Sequence, residues 1–308
     1  MSVSPRLIRR RIKSVTNTRK ITKAMELVAA SKMRKSVSAV LASRPYSDAA
    51  WRAVEELAKV SDPSLHPLLA GKGDAVDRAL VIVFTSDRGL CGGFNSQILK
   101  TVLSFLKKRP GETDVVAVGK KGQAGLARSG ANLVASFVGL TNNPRSADLK
   151  PVADLATSDF LAGKYCSVHI AFTNYHSAIS QKPMIFQLLP IRWTPELGDV
   201  GGVAAEKAGR GYGADFRAAG LGYRYEFEPS PMDVLNRMLP RLVEVQIWQA
   251  LLESAASEHS ARMMSMRSAS DAASDMIDGL TLALNQARQA GITREIAEIS
   301  SGKAALET

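Results

Sequence analysis

The chain has 308 residues, a net charge of +11, 45% hydrophobic residues and only 6% aromatic ones. Its two cysteines, Cys91 and Cys166, have neither disulfide-framework nor metal-type spacing, and no apolar run approaches the roughly 18 residues of a membrane helix. These facts exclude a disulfide-stapled module and a membrane-spanning helix, and they leave one large or two modest domains. No cofactor, metal or catalytic residue is expected.

The positive charge is concentrated at the start. From Met1 to Lys35 there are 11 Lys/Arg against the single acid Glu26, a net +10, so the rest of the chain carries only +1. An acid-poor, Arg-rich start suits a transit peptide, but here it runs unbroken into a helical pattern with no cleavage-like junction.

Between Pro5 and Pro45 there is no other proline and no glycine. Apolar residues recur at helical steps: Ile8, Ile12, Val15, then after a skip Ile21, Met25, Val28, and Met33, Val37, Val40. The spacing predicts an amphipathic helix over Pro5–Ser43, part of an N-terminal coiled-coil helix spanning 1–58.

The middle reads differently. Short β-rich runs, "RALVIVFTSD", "DVVAVG", "ANLVASFVGL" and "YCSVHIAFTNY", alternate with helical stretches such as Asn95–Lys108. That order predicts an α/β sheet with crossover helices over 75–195, closing on a hairpin in "NYHSAISQKPMIFQLLP". A Gly/Ala-rich stretch follows, "GDVGGVAAEKAGRGYGADFRAAGLG", read as a linker spanning 196–228.

The last segment, 231–308, has no proline after Pro240 and is again helical. A coiled-coil seam fits Val245, Trp248, Leu252, Ala255, His259, Arg262, Met266, Ala269, Ala273, Met276, Leu280, Leu284 and Ala287. Helices over Pro5–Ser43 and Leu242–Ser300 would be roughly 60 and 90 Å long at ~1.5 Å per residue. A compact chain of this length has a radius of gyration of only about 19 Å, so both helices must protrude, and pairing them antiparallel covers both seams.

The glycine-rich "TSDRGLCGGFN", following a strand and opening a helix, invites a phosphate-loop reading. It fails the template, because Gly92 and Gly93 are followed by Phe94 and Asn95 and the next lysine is Lys100. Gly89, Gly92 and Gly93 do not give the dinucleotide spacing, and "GKKGQAG" from Gly119 fails both templates. The glycines are read as strand-to-helix turns.

Three runs carry a specific resemblance: "RRRIKSVTNTRKITKAMELVAASKMRKS", "SDRGLCGGFN" and "LNQARQAGITREIAEISSGKAAL". Together with "RPYSDA" and "EVQIWQALLESAASEHSARMMSMRSASDAA", they resemble, in colinear order, the gamma subunits of bacterial F-type ATP synthases. The resemblance implies a long antiparallel coiled coil of the two terminal helices plus a central Rossmann-like α/β domain. It implies a non-catalytic central rotor stalk, one copy per complex, peripheral on the cytoplasmic face of the bacterial plasma membrane. Its implied partners are the alpha and beta subunits of the catalytic hexamer, the epsilon subunit and the membrane c-ring, with no nucleic acid and no small-molecule substrate.

By resemblance Met25, Arg288, Gln289, Arg9, Lys20 and Lys23 contact the hexamer, while Phe227 and Glu228 meet the membrane ring. Read from spacing alone, Met25 is a seam residue and Arg288 an exposed side chain. Glu228 read alone favours the start of the last helix through its dipole. Phe227 stands where the family often has tyrosine, and Gly291 where a small polar residue is common. From composition alone, the alternative is a nucleic-acid-binding protein with a basic helical arm. No zipper or nucleic-acid fold motif accompanies that arm.

Overall fold

A computed structural model describes residues 4–60, 66–70, 77–142, 144–191 and 228–306. Helix α1 spans Pro5–Val60 and helix α6 spans Pro231–Leu306. The chain divides into two compact units: Met1–Ala29 with Met263–Thr308, and Ala30–Arg262. Phe227 and almost all of the Gly/Ala-rich segment lie outside the described residues.

The first unit is a helix pair. Thr22 and Ser270 share a buried hydroxyl–hydroxyl hydrogen bond of 2.7 Å, and Arg19 donates to the Ser274 hydroxyl at 3.4 Å. Stepping back along α1 from Thr22 to Arg19 steps forward along α6 from Ser270 to Ser274, so the helices are antiparallel. Buried Ile8, Thr22 and Ala29 stand at heptad spacing, with Val15 half-buried between them.

This corrects the predicted seam. Ile21 and Val28 are 60% and 57% exposed, and Thr22 and Ala29 take their places. On α6, Met276 is exposed, while Ser270 and Ala273 are buried and Ile277 half-buried. Unbroken three- and four-residue steps bring small side chains to the interface. The large apolar residues Ile21, Val28 and Met276 lie off that line.

The second unit holds a five-stranded sheet in the order β3-β2-β1-β4-β5, comprising β1 (Arg78–Phe84), β2 (Glu112–Val118), β3 (Asn132–Phe137), β4 (Ser167–Tyr175) and β5 (Gln181–Leu189). The first four are parallel neighbours, and β5 returns antiparallel to β4 as the predicted hairpin. Crossover helices are α3 (Phe94–Lys108), α4 (Lys120–Arg128) and α5 (Lys150–Leu161), and a short α2 (Pro67–Ala70) precedes β1.

Strand β1 is buried on both faces, which explains its unbroken apolar run. Val81 and Val83 pack with Ile98, Val102 and Leu126 from α3 and α4. Leu80, Ile82 and Phe84 pack on the opposite face with α5 and with Leu235, Leu239, Leu242, Ile247 and Leu251 of α6. Burying each of those large side chains is worth roughly 1.5–3 kcal/mol.

The early part of α6 is therefore a core element of the α/β unit. Every residue from Leu251 to Ser260 is buried, Glu253, Glu258 and His259 included. The sequence reading gave this stretch one covered face. The sheet covers another, and Ser43 of α1 reaches Gln249 at 3.5 Å.

Both long helices run through a proline, Pro45 and Pro240. Helix α1 runs past Ser43 to Val60, close to the expected bound of residue 58. An interior proline costs about 3 kcal/mol, and a helix with many flanking turns tolerates it. At the start of α6, Pro231 occupies the first turn, and the Ser230 hydroxyl accepts the Asp233 N–H at 3.2 Å while donating to its carboxylate at 2.7 Å. Asp233 supplies the first-turn acid that was ascribed to Glu228, which stands exposed before the cap.

Candidate partner-contact surfaces and the glycine turn

In the helix pair, Arg9, Lys20 and Lys23 are exposed and Met25 is half-buried. At ~100° per residue, Lys20, Lys23, Ile21, Leu27 and Val28 share the flank opposite Thr22 and Ala29. Leu27 is 62% exposed. Cations and large apolar side chains thus lie on one uncovered face. Its cations are those expected from the sequence, whereas two of its apolar residues, Ile21 and Val28, are expected in the seam.

Carried back to Pro5, where α1 begins, the antiparallel register falls on Ala287 of α6. Ala287 is half-buried, and every residue from Arg288 to Ser301 is exposed. Arg288 and Gln289 therefore stand where pairing stops. Beyond them, Ile292, Ile296 and Ile299 form a stripe at four- and three-residue steps, exposed by 46%, 63% and 73%. Arg288 and Gln289 are expected there from the sequence; the isoleucine stripe is not, although its spacing is the available signal.

In the α/β unit, the glycine turn after β1 is braced from within by Ser86 and Asn95, while Arg88, Leu90, Gly92 and Gly93 are exposed. Asn95 accepts the Ser86 N–H at 3.0 Å and donates to the Ser86 hydroxyl at 2.7 Å, and that hydroxyl donates to the Arg88 carbonyl at 2.7 Å. The amides opening α4 are also engaged. Lys120 N–H donates to the Asp87 carboxylate at 3.1 Å, Lys121 N–H to the Ser86 carbonyl at 3.0 Å, and Gly122 N–H to the Thr85 hydroxyl at 2.9 Å. Asp87 also accepts the Gly139 N–H at 2.9 Å. The negative charge that a helix N-terminus attracts is supplied by the chain itself.

Two glycines of "GKKGQAG" are required by close approach. A Cβ on Gly119 would lie 2.3 Å from the Thr85 carbonyl oxygen at a φ of +107°, and one on Gly122 would lie 2.5 Å from the Thr85 hydroxyl.

Open parallel sheets bind ligands outside the carboxyl ends of their strands, where the strand order reverses. Here β1 is flanked by β2 and β4, and α6 reaches the carboxyl ends on both sides. Ser257 donates to the Thr173 carbonyl at 3.0 Å and Ser260 to the Ala178 carbonyl at 2.8 Å. The Arg262 guanidinium donates to the carbonyls of Arg88 at 3.1 Å and Gly89 at 3.3 Å. It also pairs with the buried Glu258 carboxylate at 2.8 Å.

Burial pushes the Glu258 pKa up, against the pull of Arg262. Burial, with Arg262 and Lys32 nearby, lowers that of His259 to about 4. In sequence, His259 and Arg262 read only as polar interruptions of a seam. Their long-range partners were not legible there.

Among the described residues no cluster could hold a metal ion, and no helix is long and apolar enough to cross a membrane.

Comparison with known proteins agrees with this architecture. The ATP synthase family profile matches residues 4–306. The ATP synthase gamma chain of Pelotomaculum thermopropionicum is 40% identical, covering 99% of each chain. That of Legionella pneumophila is 36% identical, covering 97% of this chain and 98% of its own. Among solved structures, the central stalk and c-ring of the Tetrahymena thermophila mitochondrial ATP synthase gives a TM-score of 0.60 at 27% identity. That match covers 81% of this chain and 99% of the other. A chain of the Euglena gracilis mitochondrial ATP synthase gives 0.63 at 17% identity, a likeness of fold. With the long terminal helices, the mixed α/β sheet and a full-length match in hand, the chain belongs to the ATP synthase gamma chain family.

Proposed function

We propose that the chain is the central rotor stalk of an F-type ATP synthase, carrying torque between proton flow through a membrane ring and ATP synthesis or hydrolysis in a hexamer of alpha and beta subunits. The observation that carries this reading is the antiparallel helix pair with its outward cations and isoleucine stripe. A shaft needs stiffness along its length and loose attraction to its sleeve, and charge supplies attraction without interlocking geometry. Met25, Arg9, Lys20 and Lys23 on α1, with Arg288 and Gln289 on α6, are the hexamer contacts in this reading. Phe227 and Glu228 meet the membrane ring, and the epsilon subunit is a further partner. The chain occupies the cytoplasmic face of a bacterial plasma membrane, one copy per complex.

In this reading the chain is not itself a catalyst. The engaged amides at the start of α4 and the hydrogen bonds of α6 to the strand ends support that, since the chain's own groups take up those positions. Assembly is the test. Alpha and beta subunits combined with this chain should form a complex with ATPase activity that rotates the chain, and the isolated chain should bind no ATP by calorimetry. Stoichiometric micromolar ATP binding by the isolated chain would overturn the non-catalytic reading.

A further inference from the structure

The polar ties between α6 and the strand ends grip the helix from two sides. At ~100° per residue, Ser257 and Ser260 point to one flank of α6, while Glu258 and Arg262 point roughly 150° away. The first pair holds the carboxyl end of β4 and its hairpin through the Thr173 and Ala178 carbonyls. The second holds the turn after β1 through Arg88 and Gly89.

Gln181 of β5 adds a donor to the Ser260 hydroxyl at 3.4 Å, and α6 also packs on the sheet through apolar residues such as Leu242, Ile247 and Leu251. Apolar packing resists rotation as well as separation of helix and sheet, but it lacks the fixed direction of a hydrogen bond and sets the helix angle less sharply. Directional hydrogen bonds on opposite flanks oppose rotation. Arg262 suits the task because its planar fork bridges two carbonyls while its charge is held by buried Glu258. The turn it grips is firmly built, since Asp87 ties it to α4 and Gly139, and Asn95 ties it to α3.

We propose that Arg262, seated on Glu258, is a positioning residue that fixes the angular setting of α6 against the sheet, so that torque on the helix reaches the α/β unit without slip. This rests on the rotor reading above.

The test uses the assembled complex in sealed vesicles, with ATP hydrolysis and ATP-driven proton uptake measured together. Arg262→Gln should keep hydrolysis within about twofold of wild type while lowering protons moved per ATP by about threefold or more, as expected when a charge-assisted tie is lost. Arg262→Lys, with one ammonium in place of a fork, should give an intermediate ratio. In the isolated full chain, amide exchange across residues 87–93 should rise about tenfold in Arg262→Gln, with strands β1 and β2 unchanged.

A simple loss of stability would lower hydrolysis and pumping in parallel and leave their ratio at the wild-type value. That ratio in Arg262→Gln, or in Arg262→Lys where only that variant assembles, overturns the proposal. Unchanged exchange at 87–93 overturns it as well. Failure of the rotor reading has a different signature: complexes built with the wild-type chain then pump no protons, and the coupling role falls with it.

Discussion

Thr22 and Ser270 face each other across the helix pair and share a buried hydrogen bond of 2.7 Å, where a coiled coil usually places large apolar residues. The two helices approach closely there because both side chains are small. Thr22→Leu should therefore overpack the interface and cost about 1–3 kcal/mol in chemical denaturation. The double variant Thr22→Val with Ser270→Ala removes both hydroxyls together and should be nearly neutral. A Thr22→Leu variant as stable as wild type would mean that the interface has slack.

The glycines of the α4 turn are separable by the same method. Gly119→Ala combines a Cβ 2.3 Å from backbone oxygen with a φ of +107°, and Gly122→Ala places a Cβ 2.5 Å from the Thr85 hydroxyl. Gly130 has a φ of +75° with nothing within 4 Å. Gly130→Ala should cost only the backbone term, about 1 kcal/mol, and Gly119→Ala clearly more. Equal losses at both positions would remove close approach as the reason for Gly119.

Acid should destabilise the chain in a defined window. His259 and His169 are held at about 4 in the folded state, each chiefly by burial, against an ordinary 6.5. As pH falls, the unfolded chain takes up these protons first, so stability is lost from about pH 6.5 down toward 4. The difference amounts to on the order of 3 kcal/mol per histidine. Glu258 acts in the opposite sense: its raised pKa lets the folded state accept a proton more readily, which offsets part of the loss. Melting temperatures between pH 7 and pH 4 should drop, and His259→Gln should flatten the curve. An unchanged slope in that variant would assign the acid sensitivity elsewhere.

Ala273 is buried in the helix pair, with 7% exposure. Ala273→Pro should kink α6 at a cost of about 3 kcal/mol or more, leave the α/β unit folded, and abolish coupled assembly. Proton pumping at the wild-type rate by that variant would contradict a continuous shaft.

Arg288 carries a separate expectation. Because it is exposed, Arg288→Ala should leave the isolated chain's helix content unchanged and impair assembly or turnover of the complex. A charge-assisted contact is worth roughly 1.5–3 kcal/mol, and Arg288→Lys should restore only part of it. Subunit stoichiometry and ATPase rate together decide this, and wild-type values for Arg288→Ala would reduce the residue to a solvated side chain.

Much of this architecture is legible in sequence because its signals are local. The run "RALVIVF" marks a strand buried on both faces, and the absence of glycine and proline after Pro5 marks a long helix. The exact seam was not legible, because Thr22, Ala29 and Ser270 are small or polar while exposed Ile21, Val28 and Met276 look more like core. Nor was the grip of Arg262 on the glycine turn, since its partners are backbone carbonyls more than 170 residues away in the chain. The hairpin was legible in "NYHSAISQKPMIFQLLP", whereas the cap of Ser230 and Asp233 was passed over in favour of Glu228.

The unpaired end of α6 bears on the life of the chain before assembly. A lone helix of this length is marginal in water, so outside a complex residues 288–306 should spend much of their time unwound. Unwinding opens backbone to proteases and bares Ile292, Ile296 and Ile299 to any passing hydrophobic surface. On the rotor reading, an orphan copy would display its own degradation signal and sheathing that helix on incorporation would erase it, so that cellular turnover itself would discriminate assembled rotors from surplus chains.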